Sequence, residues 1–475
     1  MADLHELTAL EQAAAIRRRE VSPSELVEHH LRRATDLQAG LGAFVTITAQ
    51  RALDAARAAD QLARRASDPA GLPPLFGVPT AIKDLTPTAG VHTTFGSASY
   101  ARYLPTVDDD VVRLLAESGT ISLGKTSVPE FGLPCYTEPA GLSPAVTPWD
   151  TSRMAGGSSG GAAAAVAAGL VPFAHGTDGG GSIRSPAAAC GVVGLKPSRG
   201  RVSRGPMGGD VTLLSGSGPL ARTVQDAAAL LDAMAVPCLA EPVIAPPLPP
   251  GHSFLEYART EPGRLRIGRY ADAAVPGVEL AEECRLAWED AATVLDELGH
   301  EVVDTTSPLN AETALPPFEV IWAVGAHSVP VPPGAHDTLQ PFTRWLREQG
   351  SAVSGAEFLQ AMTQVQVMGR AAIAAHAEFD VVLTPALAQL PPPPGWFSSV
   401  PPAENFERQK RYTPYTAPYN VTGQPAIALP LYWTGDGFPV GVQLVGRPAG
   451  EATLLALAGQ LERTRPWGHR RPPTW

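Results

Sequence analysis

Two serines in glycine-rich segments are the residues best suited to covalent chemistry. Ser158 lies in the run 156–161, Gly-Gly-Ser-Ser-Gly-Gly, and Ser182 directly follows three glycines at 179–181. A serine hydroxyl attacks a carbonyl carbon once a base accepts its proton. Because glycine lets backbone N–H groups approach a ligand closely, the same segments could supply the donors that stabilise an oxyanion. The pattern therefore indicates acyl-transfer chemistry at these serines.

Lys83 is a better candidate for the base than any histidine. The apolar run 75–82 has the pattern of a strand and ends at Lys83. A lysine placed there can be desolvated, which lowers its pKa and lets the neutral amine accept a proton. His175 lies in an apolar segment and is more typical of a core residue with satisfied hydrogen bonds. A solvated or structural Lys83 remains the alternative, since most lysines are solvated.

The segment between the two serines can bring them together. Ser158 and Ser182 are 24 residues apart (182 − 158). An alanine-rich helix after Ser159 would advance roughly 14 Å over about nine residues. A strand over 170–175, at about 3.3 Å per residue, can return a comparable distance. Pro186 is predicted at the first position of a helix whose positive end lies near Ser182.

Helices and strands alternate along the chain, which is typical of an α/β fold. Residues 1–37 have helical periodicity, with Ser22 as N-cap and Pro23 as the first helical residue. The pattern further predicts a helix over 110–119 followed by a strand at 121–123. A second such pair is predicted at 281–298 and 301–303. Length alone leaves open one large domain or a few smaller ones.

Composition excludes several functional classes. The net charge of −11 argues against a nucleic-acid partner, because phosphate binding requires clustered Lys and Arg. The four cysteines lack metal-ligand spacing and disulfide patterning, so we expect no metal, no cofactor and a reducing compartment; they are Cys135, Cys190, Cys238 and Cys284. No signal peptide is visible. The uncharged run 156–177 is interrupted by Gly, Ser and Pro, and we predict buried core rather than a membrane span.

A P-loop pattern at 119–126, Gly-Thr-Ile-Ser-Leu-Gly-Lys-Thr, has the wrong context for nucleotide binding. A P-loop lies between a strand and a helix. Here a predicted helix precedes Gly119, a predicted strand occupies the supposed loop, and Pro129 follows soon after. We therefore do not expect a nucleotide site.

Several motifs in combination resemble the amidase signature family, and the likeness extends over nearly the whole chain. The motifs lie at 77–84 (Gly-Val-Pro-Thr-Ala-Ile-Lys-Asp), 156–161, 176–184 (Gly-Thr-Asp-Gly-Gly-Gly-Ser-Ile-Arg), 190–198, 218–220, 382–385, 420–426 and 439–446. The resemblance implies a single large α/β domain with a central twisted mixed sheet covered by helices on both faces. Within it we distinguish a helical segment 1–65, a signature core 70–225 and the remainder 226–475.

The resemblance also assigns roles. It implies Ser182 as nucleophile, Ser158 on a cis peptide as proton relay, and Lys83 as base. The oxyanion donors would be the backbone amides of Gly179, Gly180, Gly181 and Ser182. Ser159 would assist, and Asp178 and Arg184 would brace the loop or act directly. Segments that vary the substrate pocket in the family correspond to 135–136 and 318–323, which predicts Tyr136, Phe318 and Trp322 as pocket residues.

The expected activity is hydrolysis of an amide, anilide, carbamate or short oligoamide, with esterase or urethanase side activity, by a cytoplasmic enzyme. The main alternative is the A subunit of a glutamine-dependent tRNA amidotransferase. That protein usually carries an aspartate where this chain has Thr413, which disfavours glutamine as the substrate. His175, the glycine triplet 179–181 and the run 197–202 resemble the nylon-oligomer hydrolase, aryl acylamidase and urethanase-like branch more closely. Fatty acid amide hydrolase is disfavoured because its membrane-anchoring segment has no counterpart here. A small amide-type substrate is the expected partner, with no membrane contact, and a homodimer is left open.

Overall fold

The structure is a computed structural model that describes residues 3–475. Its helices are α1 (Ala9–Arg17), α2 (Pro23–Leu41), α3 (Ala49–Arg65), α4 (Asp110–Glu117), α5 (Gly160–Ala167), α6 (Arg184–Cys190), α7 (Val224–Met234), α8 (Phe254–Arg259), α9 (Glu282–Glu297), α10 (Ala311–Ser328), α11 (Pro341–Ser351), α12 (Gly355–Ala375), α13 (Pro402–Tyr412), α14 (Pro418–Thr422) and α15 (Glu451–Thr464). Its strands are β1 (Phe44–Ile47), β2 (Pro79–Lys83), β3 (Ile121–Thr126), β4 (Phe173–Asp178), β5 (Val193–Lys196), β6 (Gly216–Ala221), β7 (Arg266–Arg269), β8 (Glu301–Asp304), β9 (Val381–Pro385), β10 (Ala426–Trp433) and β11 (Pro439–Gly446).

An eight-stranded mixed sheet forms the centre of the α/β fold. Its strand order is β4-β6-β5-β10-β11-β9-β7-β8. The pairings from β4 to β9 are antiparallel, whereas β9, β7 and β8 pair in parallel. Side chains of β10 alternate between two hydrophobic clusters, with Ile427 and Leu429 on one face and Ala428 on the other. Helices therefore cover both faces, as predicted.

A second sheet of three strands, in the order β1-β3-β2, was not anticipated from the sequence. Strand β2 runs parallel to β3, and β1 runs antiparallel to β3. Strand β2 also packs against β4 at the edge of the large sheet. This contact matters for the site because Lys83 is the last residue of β2 and the loop carrying Ser182 follows β4.

Two short helices of small residues lie at the centre of the molecule. Every residue of α5 and of α6 is buried. Because alanine and glycine residues are small, the two helices can pack closely against each other and against the sheets. Helix α6 begins at Arg184, so Pro186 is its third residue rather than its first. The predicted first position was therefore wrong by two residues.

The N-terminal segment forms two helices rather than one. Helices α1 and α2 each begin with a capping box, and Ser22 caps α2 with Pro23 as its first residue, as predicted. Between the helices Arg19 has a φ of 59°, which ends the first helix. The uncharged run 156–177 is buried almost throughout. Among residues 3–475, no helix combines the length and apolar character needed to cross a lipid bilayer.

Candidate active site

Lys83 and Ser158 meet at the contact between the two sheets. Lys83 Nζ lies 2.8 Å from Ser158 Oγ and donates a hydrogen bond to the carbonyl oxygen of Thr177 at 3.0 Å. Lys83 is fully buried, and Ser158 is nearly so. The peptide bond between Gly157 and Ser158 is cis, as the resemblance implies. The structure thus places an amine and a hydroxyl within hydrogen-bond distance in a dry environment.

Ser182 lies on the loop between β4 and α6, next to the segment that carries Ser158. The backbone amide of Ser159 donates to the carbonyl oxygen of Ser182 at 3.1 Å, and Ser159 Oγ donates to the carbonyl oxygen of Thr177 at 3.2 Å. The two serine segments are therefore in direct contact, as their spacing predicted. Ser182 also lines the main cavity, which gives its hydroxyl access to a ligand.

Asp178 and Arg184 brace this loop from the buried side. Asp178 Oδ1 accepts from the amide of Gly181 at 2.8 Å, and Oδ2 accepts from the amide of Ile183 at 3.1 Å. Arg184 Nη2 lies 2.9 Å from Asp178 Oδ1, and both side chains are fully buried. Burial alone would raise the pKa of Asp178, but the Arg184 guanidinium holds it below its ordinary value. The geometry shows a bracing role for both residues.

The amide of Gly181 is directed away from the cavity. Its hydrogen bond to Asp178 occupies the one proton that it could offer to an oxyanion. Within the described part of the chain, the amides of Gly179, Gly180 and Ser182 have no protein acceptor. Gly181 has a φ of 130°, and a Cβ there would lie 2.2 Å from Thr416 Oγ1, so glycine is required for backbone geometry. The set of candidate oxyanion donors is therefore narrower than the sequence suggested.

Burial sets the protonation of the groups around Ser158. Desolvation lowers the pKa of Lys83 well below its ordinary value of 10.5, with the negative charge of Asp178 opposing the shift. Burial is likewise the largest cause of the lowered pKa of His175, which falls to about 3. Neither ring nitrogen of His175 has a partner among the described residues, so the expectation of a satisfied core histidine was wrong. His175 also lies outside the cavity lining.

An apolar cavity opens beside Ser182 and encloses about 900 Å³ of space, including its open mouth. Helix α10 contributes Phe318 and Trp322, whose rings stack with centroids 5.5 Å apart. A Cβ at Gly179 would lie 3.6 Å from the Trp322 ring, so this ring reaches the loop that carries Ser182. The structure thus places both predicted aromatic residues in the cavity wall.

Tyr136 is part of the core rather than of the cavity lining. Its ring stacks on Phe397 with centroids 4.9 Å apart, and its hydroxyl accepts from Asn405 Nδ2 at 2.8 Å. Asn405 Oδ1 accepts from Gln409, which in turn accepts from the amide of Cys135. The prediction that Tyr136 lines the substrate pocket was therefore wrong. Its neighbour Cys135 lines the cavity instead.

Helix α13 and the segment after it form a wall that the sequence analysis did not identify. Gln409 and Lys410 line the cavity, followed by Thr413. Thr416 donates from Oγ1 to the carbonyl oxygen of Gly180 at 2.7 Å and so holds the loop before Ser182. The sequence offered two signals for this wall. Its residues precede the motif at 420–426, and Thr413 stands where the amidotransferase A subunit usually carries an aspartate.

The structure gives the P-loop pattern a different role. Strand β3 occupies the supposed loop, as predicted, and the side chain of Lys125 is buried 3.4 Å from Asp84. Its amine is directed toward the protein interior rather than toward a phosphate. Among residues 3–475, no group of three or more His, Cys, Asp or Glu side chains is arranged to hold a metal ion.

Comparison with known proteins identifies relatives along the full chain. The family model described as Amidase matches residues 25–455. A protein of Mycobacterium tuberculosis (strain ATCC 25618 / H37Rv) named "Putative amidase AmiB2" is 40% identical over 94% of this chain and 94% of that protein. The A subunit of the glutamyl-tRNA(Gln) amidotransferase from Moorella thermoacetica is 35% identical over 99% of each chain.

Solved structures share the fold. A 6-aminohexanoate cyclic dimer hydrolase complexed with substrate superposes with a TM-score of 0.90, at 30% identity over 99% of each chain. A bacterial aryl acylamidase has a TM-score of 0.86 at 24% identity, covering 98% of this chain and 97% of its own, which is a likeness of fold. The fold of this chain is therefore one that solved structures of hydrolases share.

Proposed function

Because this chain belongs to the amidase family and is a hydrolase of amide carbon–nitrogen bonds, we propose that it works through an acyl-enzyme on Ser182, with Ser158 as proton relay and Lys83 as base. One observation carries the proposal. Lys83 Nζ is fully buried, lies 2.8 Å from Ser158 Oγ, and forms no ion pair among the described residues. Burial without a counter-ion disfavours the charged ammonium, so it favours the neutral amine, which can accept a proton.

The proposed first half-reaction makes one bond and breaks one. Ser182 Oγ attacks the carbonyl carbon while its proton passes to Ser158 Oγ, whose own proton passes to Lys83 Nζ. Backbone amides among Gly179, Gly180 and Ser182 stabilise the oxyanion. The intermediate then collapses, the C–N bond breaks, and the leaving nitrogen takes a proton from Ser158, which regains one from Lys83.

In the second half-reaction, water attacks the Ser182 ester. Its proton follows the same route to Lys83, and the acid is released as the proton returns to Ser182 Oγ. Each half-reaction leaves Lys83 neutral again, so no cofactor is required for balance.

The cavity favours an uncharged substrate with an apolar or aromatic group. Lys410 is the one charged residue among the described lining residues, and it is already paired with Glu319 and Glu407 at 2.5 and 2.6 Å. An apolar wall with few polar groups binds neutral ligands best, because a charged group would lose hydration without a partner. We therefore propose amides, anilides, carbamates or short oligoamides, with esters or urethanes as side substrates.

The A subunit of a tRNA amidotransferase is the second candidate, supported by the 35% identity to such proteins. Its glutamine substrate carries an ammonium group. No carboxylate is among the described residues that line the cavity, and Thr413 lies there instead. The cavity thus offers no counter-ion for glutamine, which favours a free hydrolase. The four free cysteines support a reducing compartment such as the cytoplasm.

A panel of chromogenic anilides, carbamates and esters, tested with the purified chain alone, separates these candidates. The proposal predicts turnover without any partner and little activity on glutamine. A chain that hydrolyses only glutamine, and only with companion proteins, would instead belong to an amidotransferase. Ser182→Ala in the same assay reports whether any turnover depends on the proposed nucleophile.

A further inference from the structure

Gln409 is a buried glutamine in the cavity wall, and the orientation of its side-chain amide is fixed. It lies on α13, is 6% exposed and borders the cavity that also contains Ser182. Its Oε1 accepts a hydrogen bond from the backbone amide of Cys135 at 2.9 Å. Because a backbone N–H can only donate, the oxygen of the Gln409 amide is the atom that faces Cys135. The Nε2 atom is therefore turned toward Asn405, to whose Oδ1 it donates at 2.6 Å.

The partners of Gln409 are themselves anchored in the core. Asn405 Nδ2 donates to the hydroxyl of Tyr136 at 2.8 Å, and the Tyr136 ring stacks on Phe397. Rotation of the Gln409 amide would break its hydrogen bonds to both Cys135 and Asn405. The side chain is therefore preorganised, and it loses little conformational entropy when a ligand binds.

One N–H of Gln409 remains available to a ligand. A side-chain amide nitrogen carries two N–H donors. Among residues 3–475, Asn405 is the one acceptor for Gln409 Nε2, so the second N–H is free. Two other polar side chains of the wall are already engaged, since Lys410 is in ion pairs and Thr413 donates to the carbonyl oxygen of Gln409 at 3.2 Å. A free donor in an apolar wall favours a ligand that brings an acceptor, because an unsatisfied buried donor costs free energy.

Gln409 borders the part of the cavity next to Ser158. Its partner Cys135 and the following Tyr136 pack directly on Gly157, where a Cβ would lie 2.7 Å from the backbone nitrogen of Tyr136. Gly157 precedes Ser158 and lines the cavity together with Cys135 and Gln409. In the proposed mechanism Ser158 gives a proton to the leaving nitrogen. The leaving group therefore lies on the side of the cavity that Gln409 borders.

The aromatic rings border a different part of the cavity. A Cβ at Gly180 would lie 3.8 Å from the ring of Phe318 and 3.8 Å from the ring of Trp322. These rings are thus beside the loop that carries the candidate oxyanion donors. The cavity therefore has an aromatic part beside that loop and a polar part, formed by Gln409, beside Ser158.

We propose that the free N–H of Gln409 binds a hydrogen-bond acceptor on the leaving group of the substrate. The inference rests on the proposed function, because that mechanism places the leaving nitrogen beside Ser158. It also selects among the proposed substrates. The leaving amine of a short oligoamide carries a second carbonyl oxygen, whereas that of an unsubstituted anilide carries no such acceptor. Gln409 is thus a specificity-determining residue that favours leaving amines with a carbonyl oxygen.

Two amide substrates with the same acyl group test this contact. One has glycine methylamide as its leaving amine, and in the other a methyl group replaces the carbonyl oxygen of that amine. The wild-type enzyme should prefer the first by about 5- to 100-fold in kcat/KM, because the second leaves a buried donor without a partner. In Gln409→Met, which removes the N–H at similar volume, the ratio should fall to near one. A wild-type ratio near one, or a ratio that Gln409→Met does not change, overturns the proposal.

Tyr136→Phe is the matched control, because it disturbs the same chain of hydrogen bonds outside the cavity and leaves the Gln409 N–H in place. It should keep the wild-type ratio. Loss of the ratio in Tyr136→Phe would show that the chain acts through structure rather than through contact with the substrate. Gln409→Glu at alkaline pH keeps an acceptor for the amide of Cys135 but offers no N–H, so it should behave like Gln409→Met. A preference retained in Gln409→Glu would also contradict the proposal.

A second pair of substrates carries the acceptor on the acyl group and shares one alkylamine leaving group. Gln409→Met should not change the kcat/KM ratio of this pair, and a change would place the contact on the acyl side, against the proposal. Failure of the proposed function has a different signature, because Ser182→Ala would then leave turnover intact. Loss of turnover in Ser182→Ala, with equal ratios for the first pair in wild type and Gln409→Met, would refute the inference on Gln409 alone.

Discussion

The ends of β2 and β3 each carry a buried lysine, yet the two surroundings differ. Lys83 ends β2 and is in register with Thr126 of β3, next to Lys125. Both lysines are at most 1% exposed. Lys125 lies 3.4 Å from Asp84 and donates to the carbonyl oxygen of Thr86 at 2.6 Å. Within residues 3–475, the hydrogen-bond partners of Lys83 Nζ are a hydroxyl group and a carbonyl group.

This difference shows that burial alone does not make a base. Burial lowers the pKa of Lys125 to about 8, and the Asp84 carboxylate keeps it from falling further. Burial lowers the pKa of Lys83 well below 10.5 with no carboxylate in direct contact. Lys125 therefore remains charged near neutral pH and holds the structure, whereas the lowered pKa of Lys83 favours the neutral amine that the proposed proton transfer requires.

Removing Lys83 should have the largest effect on activity. Lys83→Met removes the base, and we expect kcat to fall by about 10²- to 10⁴-fold. The thermal midpoint should fall less than it does for Lys125→Met, because no buried carboxylate loses its partner. Steady-state kinetics with an anilide, together with a thermal melt, measure both quantities. Retention of more than a tenth of wild-type kcat would remove Lys83 from the mechanism.

Removing Lys125 should have the opposite effect from removing Lys83, because it should reduce stability more than activity. Lys125→Met leaves Asp84 buried without its cation, which costs about 3–5 kcal/mol of unfolding free energy. The double variant Asp84→Asn with Lys125→Met should recover much of this loss, because no uncompensated charge remains. Urea denaturation measures the two values. Equal losses in the single and double variants would show that the ion pair does not stabilise the fold.

Trp322, in the aromatic wall of the cavity, should affect substrate binding rather than proton transfer. Trp322→Ala removes apolar area beside the loop of Ser182, so kcat/KM for a bulky aromatic amide should fall by about 10- to 200-fold, or about 1–3 kcal/mol. A small acetamide, which offers little apolar area to Trp322, serves as the internal control. Equal losses for both substrates would indicate a disturbed loop rather than a lost binding surface.

Thr416 should give the smallest effect. Thr416→Val removes the hydroxyl that donates to the carbonyl oxygen of Gly180. We expect kcat/KM to fall by about 2- to 10-fold, corresponding to about 0.5–1.5 kcal/mol for one hydrogen bond. Thr416→Ser keeps the donor and should retain wild-type kinetics. Identical behaviour of the two variants would mean that this hydroxyl does not position the loop.

Local patterns predicted much of the fold. The Ser22 cap, the helix and strand at 282–304 and the buried character of 156–177 follow from periodicity and capping, which involve near neighbours in sequence. The three-stranded sheet was missed because β1, β2 and β3 pair across many intervening residues. Sequence patterns specify a strand but not its partner.

The site was predicted less completely than the fold. Motif spacing brought Lys83, Ser158 and Ser182 to one place, because one helix and one strand span the distance. The Gly181 amide is directed toward Asp178 because the Asp178 side chain lies beneath the loop and accepts its hydrogen bond. Cys135, rather than Tyr136, lines the cavity because the Tyr136 side chain packs into the core. Such details are set by tertiary packing, which a sequence pattern does not contain.

The central claim, a Ser182 nucleophile activated through neutral Lys83, is tested most directly by the pH dependence of labelling with a fluorophosphonate. Because the folded pKa of Lys83 is lowered, its neutral fraction grows as pH rises through that pKa and levels off above it. The account predicts a mass adduct on the peptide containing Ser182, formed at a rate that rises with pH in a one-proton step well below 10.5. An adduct on another residue, or a rate with the same pH profile in Lys83→Met, would contradict it.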